Sequence, residues 1–305
     1  MKEIKKVLIC GIGAIGSIFA YKISKFDNDN LKILVDKNRL EQYTKNPKIF
    51  NGKELKLNYI TPNERDFKAD LVIIATKFNA LKEVSENIKN FVNENTIIIS
   101  LLNGISSEEI LANKYGWENL PLAFFLGHSE TLRPNNYEYD NRGCVVFGEK
   151  ENHTNPKIIN VLKNYFTKAN ISHKVSNDMN YAYWLKFMLN VSTNQPSAIL
   201  RLTFGEMTSN PEFMNMFNNI MKEVQAVAQA EGVRNTDNMI KDALQALHNL
   251  MPKGKTSMLQ DVEAKRQTEV EMLAGVMILL GKKHNIPTPY NTVMYEMIKS
   301  IQNNY

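Results

Sequence analysis

Lys186, Asn190 and Asn194 recur at i, i+4 and i+8 within the run 184–194. On a helix they share one stripe, with neighbours about 6 Å apart. An ammonium and two amides flanked by apolar residues make a poor core and a suitable surface for a small carboxylate or keto acid. Spacing alone does not separate this from a polar seam on a half-exposed helix. A second polar group lies in 256–271. Ser257 with Gln260, and Thr268 with Glu271, each match a capping box, so two helices should start here with a break near 265–267. On one unbroken helix Ser257 and Glu269 would sit about 18 Å apart; a break lets both turn toward one cleft. The plainer readings are helix capping for Ser257 and a first-turn acid favoured by the helix dipole for Glu269.

A third group is Gly11-Ile12-Gly13-Ala14-Ile15-Gly16, placed between a buried apolar run and an amphipathic segment. In that setting G-x-G-x-x-G is a dinucleotide-binding loop. Gly11 permits the tight turn, Gly13 lets the backbone approach a pyrophosphate, and Gly16 lets helix and strand pack closely. Free N–H groups and the helix dipole favour the anion. Asp36 ends the second apolar run, where an acid can bind the ribose hydroxyls of NAD. Lys37 and Arg39 follow, and either cation could hold a 2′-phosphate; surface charge at a strand end is the other reading.

These groups need a scaffold. Apolar, β-rich runs at 7–10, 31–35, 71–75, 96–101 and 120–126 alternate with helical patterns at 14–26, 79–92 and 106–113. Near-continuous apolar strands between helices predict a doubly wound, Rossmann-like α/β domain with a parallel sheet. Residues 137–139 and 144–147, around Asn141-Arg142-Gly143, predict an antiparallel pair closing the sheet. After about 176 only helical spacing remains, at 180–193, 211–231, 236–250, 258–264, 268–283 and 288–302. The expected organisation is a dinucleotide-binding domain over 1–176 and an all-α substrate-binding domain over 177–305.

Composition narrows the function classes. The chain of 305 residues is 43% hydrophobic and 23% charged, with 37 basic and 32 acidic residues and a net charge of +5. No basic stripe with interleaved aromatics occurs, so no nucleic-acid partner is expected. The lysines at 2, 5 and 6 before 7–20 imitate a signal peptide, but no small-residue cleavage pattern follows. The longest other apolar stretch, 272–280, is far short of a membrane span. Cys10 and Cys144 are the two cysteines, and Cys10 sits in an apolar run. A reducing, cytoplasmic setting fits, with no membrane partner and no metal site expected.

The whole chain resembles the ketopantoate reductase (2-dehydropantoate 2-reductase) family. The resemblance rests on Gly11 to Gly16, Lys77 in Ala75-Thr76-Lys77, Asn103-Gly104 after a strand, Lys186/Asn190/Asn194, and Ser257-Met258, Asp261, Arg266 and Thr268-Glu269. The last two groups are the specific ones. It implies a Rossmann domain joined to a helical domain, and NADPH-dependent reduction of ketopantoate to pantoate on the way to pantothenate. By that resemblance Lys186 is the general acid, and Asn190, Asn194 and Ser257 hold the substrate. Asn103 sits where nicotinamide meets substrate, Lys77 lies near the cofactor, and Glu269 stands beside the lysine and the cofactor. The chemistry agrees, since a carbonyl becoming an alkoxide needs a proton donor in reach, and burial can tune a lysine for it. Lys265 stands where the family has a glycine, Leu102 where it often has glutamine, and Asp36-Lys37 where a pair ends in arginine. Segment 126–136 matches poorly and contributes no residue. NADP(H) is the expected cofactor, NAD(H) the alternative, and a homodimer is open. The competing readings are an opine-type dehydrogenase of another 2-keto acid and a non-catalytic dinucleotide sensor.

Overall fold

The computed structural model describes residues 3–127, 130–133, 135–139 and 143–305. The chain forms two compact units, Met1–Leu102 with Ser107–Met179, and Asn103–Ser106 with Asn180–Tyr305.

The first unit runs β1 Val7–Cys10, α1 Ala14–Asp27, β2 Leu31–Leu34, α2 Lys37–Lys45, β3 Ile49–Phe50, β4 Lys53–Glu54, β5 Tyr59–Ile60 and β6 Leu71–Ile74. It continues with α3 Leu81–Asn87, β7 Ile97–Ser100, α4 Ser107–Tyr115, β8 Leu122–Gly127, β9 Glu130–Arg133, β10 Asn136–Glu138, β11 Gly143–Gly148, α5 Pro156–Lys168 and β12 His173–Val175. The main sheet is wholly parallel, in the order β5-β2-β1-β6-β7. Every residue of β1, β6 and β7 is buried, as strands covered on both faces require. The order reverses direction between β1 and β6, and such a switch point opens a crevice beyond the strands' carboxyl ends. The Gly11 loop and the segment Ala75-Thr76-Lys77 leave the sheet there.

Three expectations need correction. The run 120–126 does not extend the main sheet: β8 belongs to a three-stranded sheet ordered β12-β11-β8. Nor do 137–139 and 144–147 pair. β11 pairs antiparallel with the equally apolar β8, with Val145 opposite Phe125. β10 joins a four-stranded sheet, β4-β3-β10-β9, pairing antiparallel with β9 and parallel with β3. Residues 141 and 142 of the expected turn lie outside the described residues. Third, α2 and α5 were not foreseen; α2 has no fully buried residue and meets the core only through the partly buried Leu40 and Tyr43, a short apolar pair.

The second unit is helical: α6 Met179–Leu200, α7 Phe204–Thr208, α8 Pro211–Ala230, α9 Met239–His248, α10 Ser257–Glu263, α11 Ala274–His284 and α12 Pro289–Gln302. α6 outruns its expected end at 193 and passes through Pro196. A proline inside a helix removes one backbone bond. Polar side chains tie this stretch instead: Asn194 Nδ2 donates to the Asn190 carbonyl at 3.1 Å, and Gln195 Nε2 to that of Val191 at 3.0 Å.

The expected break after α10 is present and has a physical cause. Arg266 N donates to the Asp261 carbonyl at 2.8 Å and Lys265 N to that of Val262 at 3.1 Å. These are the two bonds of a Schellman stop, which needs a left-handed residue. Lys265 supplies it at φ +50°, the conformation glycine adopts most cheaply. Neither capping box forms as expected. Thr256, not Ser257, caps α10, accepting from Leu259 N at 3.2 Å. Thr268 donates through N and Oγ1 to Gln302 Oε1, each at 2.8 Å, while Glu271 binds Tyr295 and Lys299. The chain at Val270–Met272 is a 3₁₀ turn. No helix among the described residues is long and apolar enough to cross a membrane.

Candidate active site

In the first unit the glycine loop is a cradle that side chains would fill. Gly11 has φ +89°, and a Cβ there would meet the Ala75 carbonyl oxygen at 2.7 Å. A Cβ on Gly16 would lie 1.9 Å from the Gly11 carbonyl oxygen. Gly13 faces open space, with nothing within 4 Å of its Cβ position, and caps α1 without any side-chain bond. The helix therefore presents free N–H groups beside an open surface, the arrangement a pyrophosphate needs. Ile12 is buried beneath the loop, while Ala14 and Ile15 are half-buried at the start of α1. These residues fit a dinucleotide.

Asp36 caps α2, accepting from Arg39 N at 2.7 Å, and its other oxygen lies 3.5 Å from Arg39 Nε. Part of its acceptor capacity and charge is thereby committed. Lys37, the first residue of α2, is exposed, as is Arg39. Lys77, in extended backbone, leads into a short 3₁₀ turn at Phe78–Ala80.

In the second unit, Asn103, Asn190, Asn194, Ser257, Met258, Asp261, Glu269 and Leu273 line a small recess. Five of these were expected site residues; Met258, Asp261 and Leu273 were not given contacts. Two follow from helix geometry, since on α10 positions 257, 258 and 261 share a face. Asn190 Nδ2 donates to Asn103 Oδ1 at 3.3 Å, and Asn103 Nδ2 to Glu269 Oε2 at 3.3 Å. Asn194 Oδ1 accepts from Ser257 Oγ at 3.1 Å and from Met258 N at 3.3 Å. Both acceptor sites of that amide oxygen are used, so Asn194 clasps α6 to α10 and has at most one N–H left for a ligand. Asp261 is 5% exposed and takes Arg266 Nε at 2.8 Å, which orients its carboxylate at the foot of the recess.

Lys186 does not line the recess. It stands one helical turn before Asn190, half-buried. Its ammonium has no hydrogen-bond or ion-pair partner among the described residues, and crowding pushes its pKa down to about 8. Desolvation disfavours the charged form, so this lysine gives up a proton far more readily than a surface one.

Residues 7–152 match the family model for ketopantoate reductase PanE/ApbA, and residues 178–302 the model for its C-terminal part. A 2-dehydropantoate 2-reductase of Aquifex aeolicus is 27% identical over 304 residues, 97% of each chain. One from Streptococcus pyogenes serotype M6 is 26% identical over 301 residues, 96% of each. Among solved structures, a D-mandelate dehydrogenase with NADH and anilino(oxo)acetate shares the fold at TM-score 0.88 and 23% identity, over 98% of this chain and 99% of that one. The protein is thus an oxidoreductase acting on a CH–OH group. The chain belongs to the ketopantoate reductase family, over both halves of its length.

Proposed function

We propose that this protein reduces 2-dehydropantoate to pantoate with NADPH, in the cytoplasm and as a step toward pantothenate. The observation that carries the reading is Lys186: an ammonium with no partner among the described residues, its pKa pushed by burial to about 8, one turn before Asn190 in the amide–carboxylate chain Asn190–Asn103–Glu269. When bound, the dinucleotide supplies a hydride to the keto carbon. Lys186 donates its Nζ proton to the keto oxygen, leaving a neutral amine that water reprotonates. A lysine with pKa near the working pH suits this task better than one near 10.5. Asn190 has one N–H left to offer the substrate's carboxylate, and Ser257, whose O–H is held by Asn194, offers its lone pairs to the substrate's hydroxyl. Asn103 and Glu269 form the edge where nicotinamide and substrate meet.

Gly11 to Gly16 hold the pyrophosphate, Lys77 lies close by, and Asp36, Lys37 and Arg39 surround the adenosine ribose. Asp36 is partly neutralised by capping α2 and by Arg39, and Lys37 is exposed; both features favour the 2′-phosphate of NADPH. NADH is the second reading, supported by the carboxylate at 36. The deciding experiment is oxidation of NADPH and NADH by the purified protein against a panel of 2-keto acids, with and without an added amine. Turnover of ketopantoate alone supports the reading. Turnover only with an amine present refutes it in favour of an opine-type reaction.

A further inference from the structure

Gln195 follows Asn194 on α6, is 0% exposed, and has both ends of its amide engaged. Nε2 donates to the Val191 carbonyl at 3.0 Å, and Oε1 accepts from Ala274 N at 3.1 Å. Ala274 opens α11, a helix with no side-chain cap of its own. Leu273 occupies the cap position with φ −106° and ψ −89°, outside any regular helix. The first N–H groups of a helix lack partners within it, and burying one unpaired is costly. Gln195 therefore does from a neighbouring helix what a cap residue would do locally.

What that bond anchors is a wall of the recess. Leu273 and Glu269 both line it. Between them Met272 packs on Gly104, where a Cβ would meet Met272 Cε at 2.9 Å and its carbonyl oxygen at 3.0 Å. Gly104 in turn follows Asn103, which binds Glu269. The contacts are close enough that a shift at residue 274 passes through 272 and 273 to Asn103 and Glu269.

We propose that Gln195 is a positioning residue for the reduction: without touching the keto acid, it holds the wall carrying Glu269 and Leu273 at the spacing the keto acid needs. The inference rests on reading the recess as the keto-acid site. Its test compares Gln195→Met, which keeps the length and loses the acceptor, with Gln195→Glu, which keeps an acceptor for Ala274 N. The readouts are KM for ketopantoate, Kd for NADPH by fluorescence titration, and hydrogen exchange across 269–275.

Gln195→Met should raise KM about tenfold or more, the effect of losing roughly one buried hydrogen bond. The Kd for NADPH should change by less than the KM for ketopantoate, since most of the proposed cofactor contacts lie on the glycine loop. Exchange across 269–275 should quicken, and Gln195→Glu should return KM to within about threefold of wild type. Normal KM and normal protection in Gln195→Met overturn the proposal, and so does an equal rise in KM in both variants. If wild-type protein does not turn over ketopantoate, the functional reading fails by itself. The anchor is then judged on exchange, where unchanged protection in Gln195→Met overturns it. Should Gln195→Met not fold, Gln195→Glu decides: near-normal KM supports the anchor and a rise of about tenfold refutes it.

Discussion

The acid role of Lys186 makes a quantitative claim about pH. Its pKa is held down to about 8 by burial, against 10.5 for an ordinary lysine. Reduction needs the protonated form. Kcat/KM for ketopantoate should therefore be flat below pH 7 and fall above 8, because that ratio reports the free enzyme's essential acid. The ammonium fraction is about nine-tenths at pH 7, about one-tenth at pH 9 and about one-hundredth at pH 10, a fall near tenfold per unit. A lysine at 10.5 would lose almost nothing by pH 9. Initial rates of NADPH oxidation in constant-ionic-strength buffers from pH 6 to 10 separate the two. Lys186→Arg, which cannot deprotonate in this range, should be slow and should lose the fall above pH 8. Lys186→Ala should lower turnover by about 10²- to 10⁴-fold with the fold intact. A flat wild-type profile to pH 10, or the same alkaline limb in Lys186→Arg, would refute the assignment.

Lys37→Ala should weaken NADPH binding while leaving NADH almost unchanged, measured as Kd by titration; equal effects on both remove its phosphate role. Thr256→Ala should cost about 1 kcal/mol in denaturant unfolding, as loss of an N-cap does, whereas Ser257→Ala should cost less and raise KM for ketopantoate. The opposite pattern would return the capping role to Ser257. Lys48 is 3% exposed, donates to Asn135 Oδ1 and the Tyr137 hydroxyl, and burial holds its pKa near 8. The folded state binds its proton less tightly than the unfolded chain, so stability should rise between pH 8 and about 10.5, by at most about 3 kcal/mol. Lys48→Met should flatten that rise in urea melts at each pH, and an unchanged slope would refute the burial argument.

Most elements whose sequence carries a full burial pattern were readable beforehand, although α5, with Ile158, Ile159, Leu162, Tyr165 and Phe166 on one stripe, was missed. β1, β6 and β7 are apolar throughout, and α8 repeats its apolar stripe over five turns, so their spans were placed to within a residue or two. Pairing was less legible. β8 and β11 are as apolar as the main-sheet strands, and nothing local records that they pair with each other rather than extend that sheet. At the recess, helical spacing brought Asn190 and Asn194 together on α6, as expected. Its failure lay in capping chemistry: Thr256 and Ser257 are adjacent hydroxyls, and only the Asn194 side chain decides which one turns to α10's backbone. Gln195 gave no signal, and Asp261, though on the readable face of α10, gave none of its pairing, because their partners, Ala274 and Arg266, are chosen by the break and not by periodicity.

The bare face of α2 has an evolutionary consequence. This helix has no fully buried residue, and its first turn holds Lys37 and Arg39 behind the Asp36 cap. In the proposed ribose-binding role, exchanges at 37 and 39 would alter which ribose substituent is welcomed while disturbing no core packing, and surface changes of that kind typically shift stability by under about 0.5 kcal/mol. Preference for one dinucleotide over the other is therefore a trait this scaffold can gain or lose in a few mutational steps. The recess proposed for the keto acid is different: its residues are tied to one another, so a change of substrate there would require coordinated substitutions.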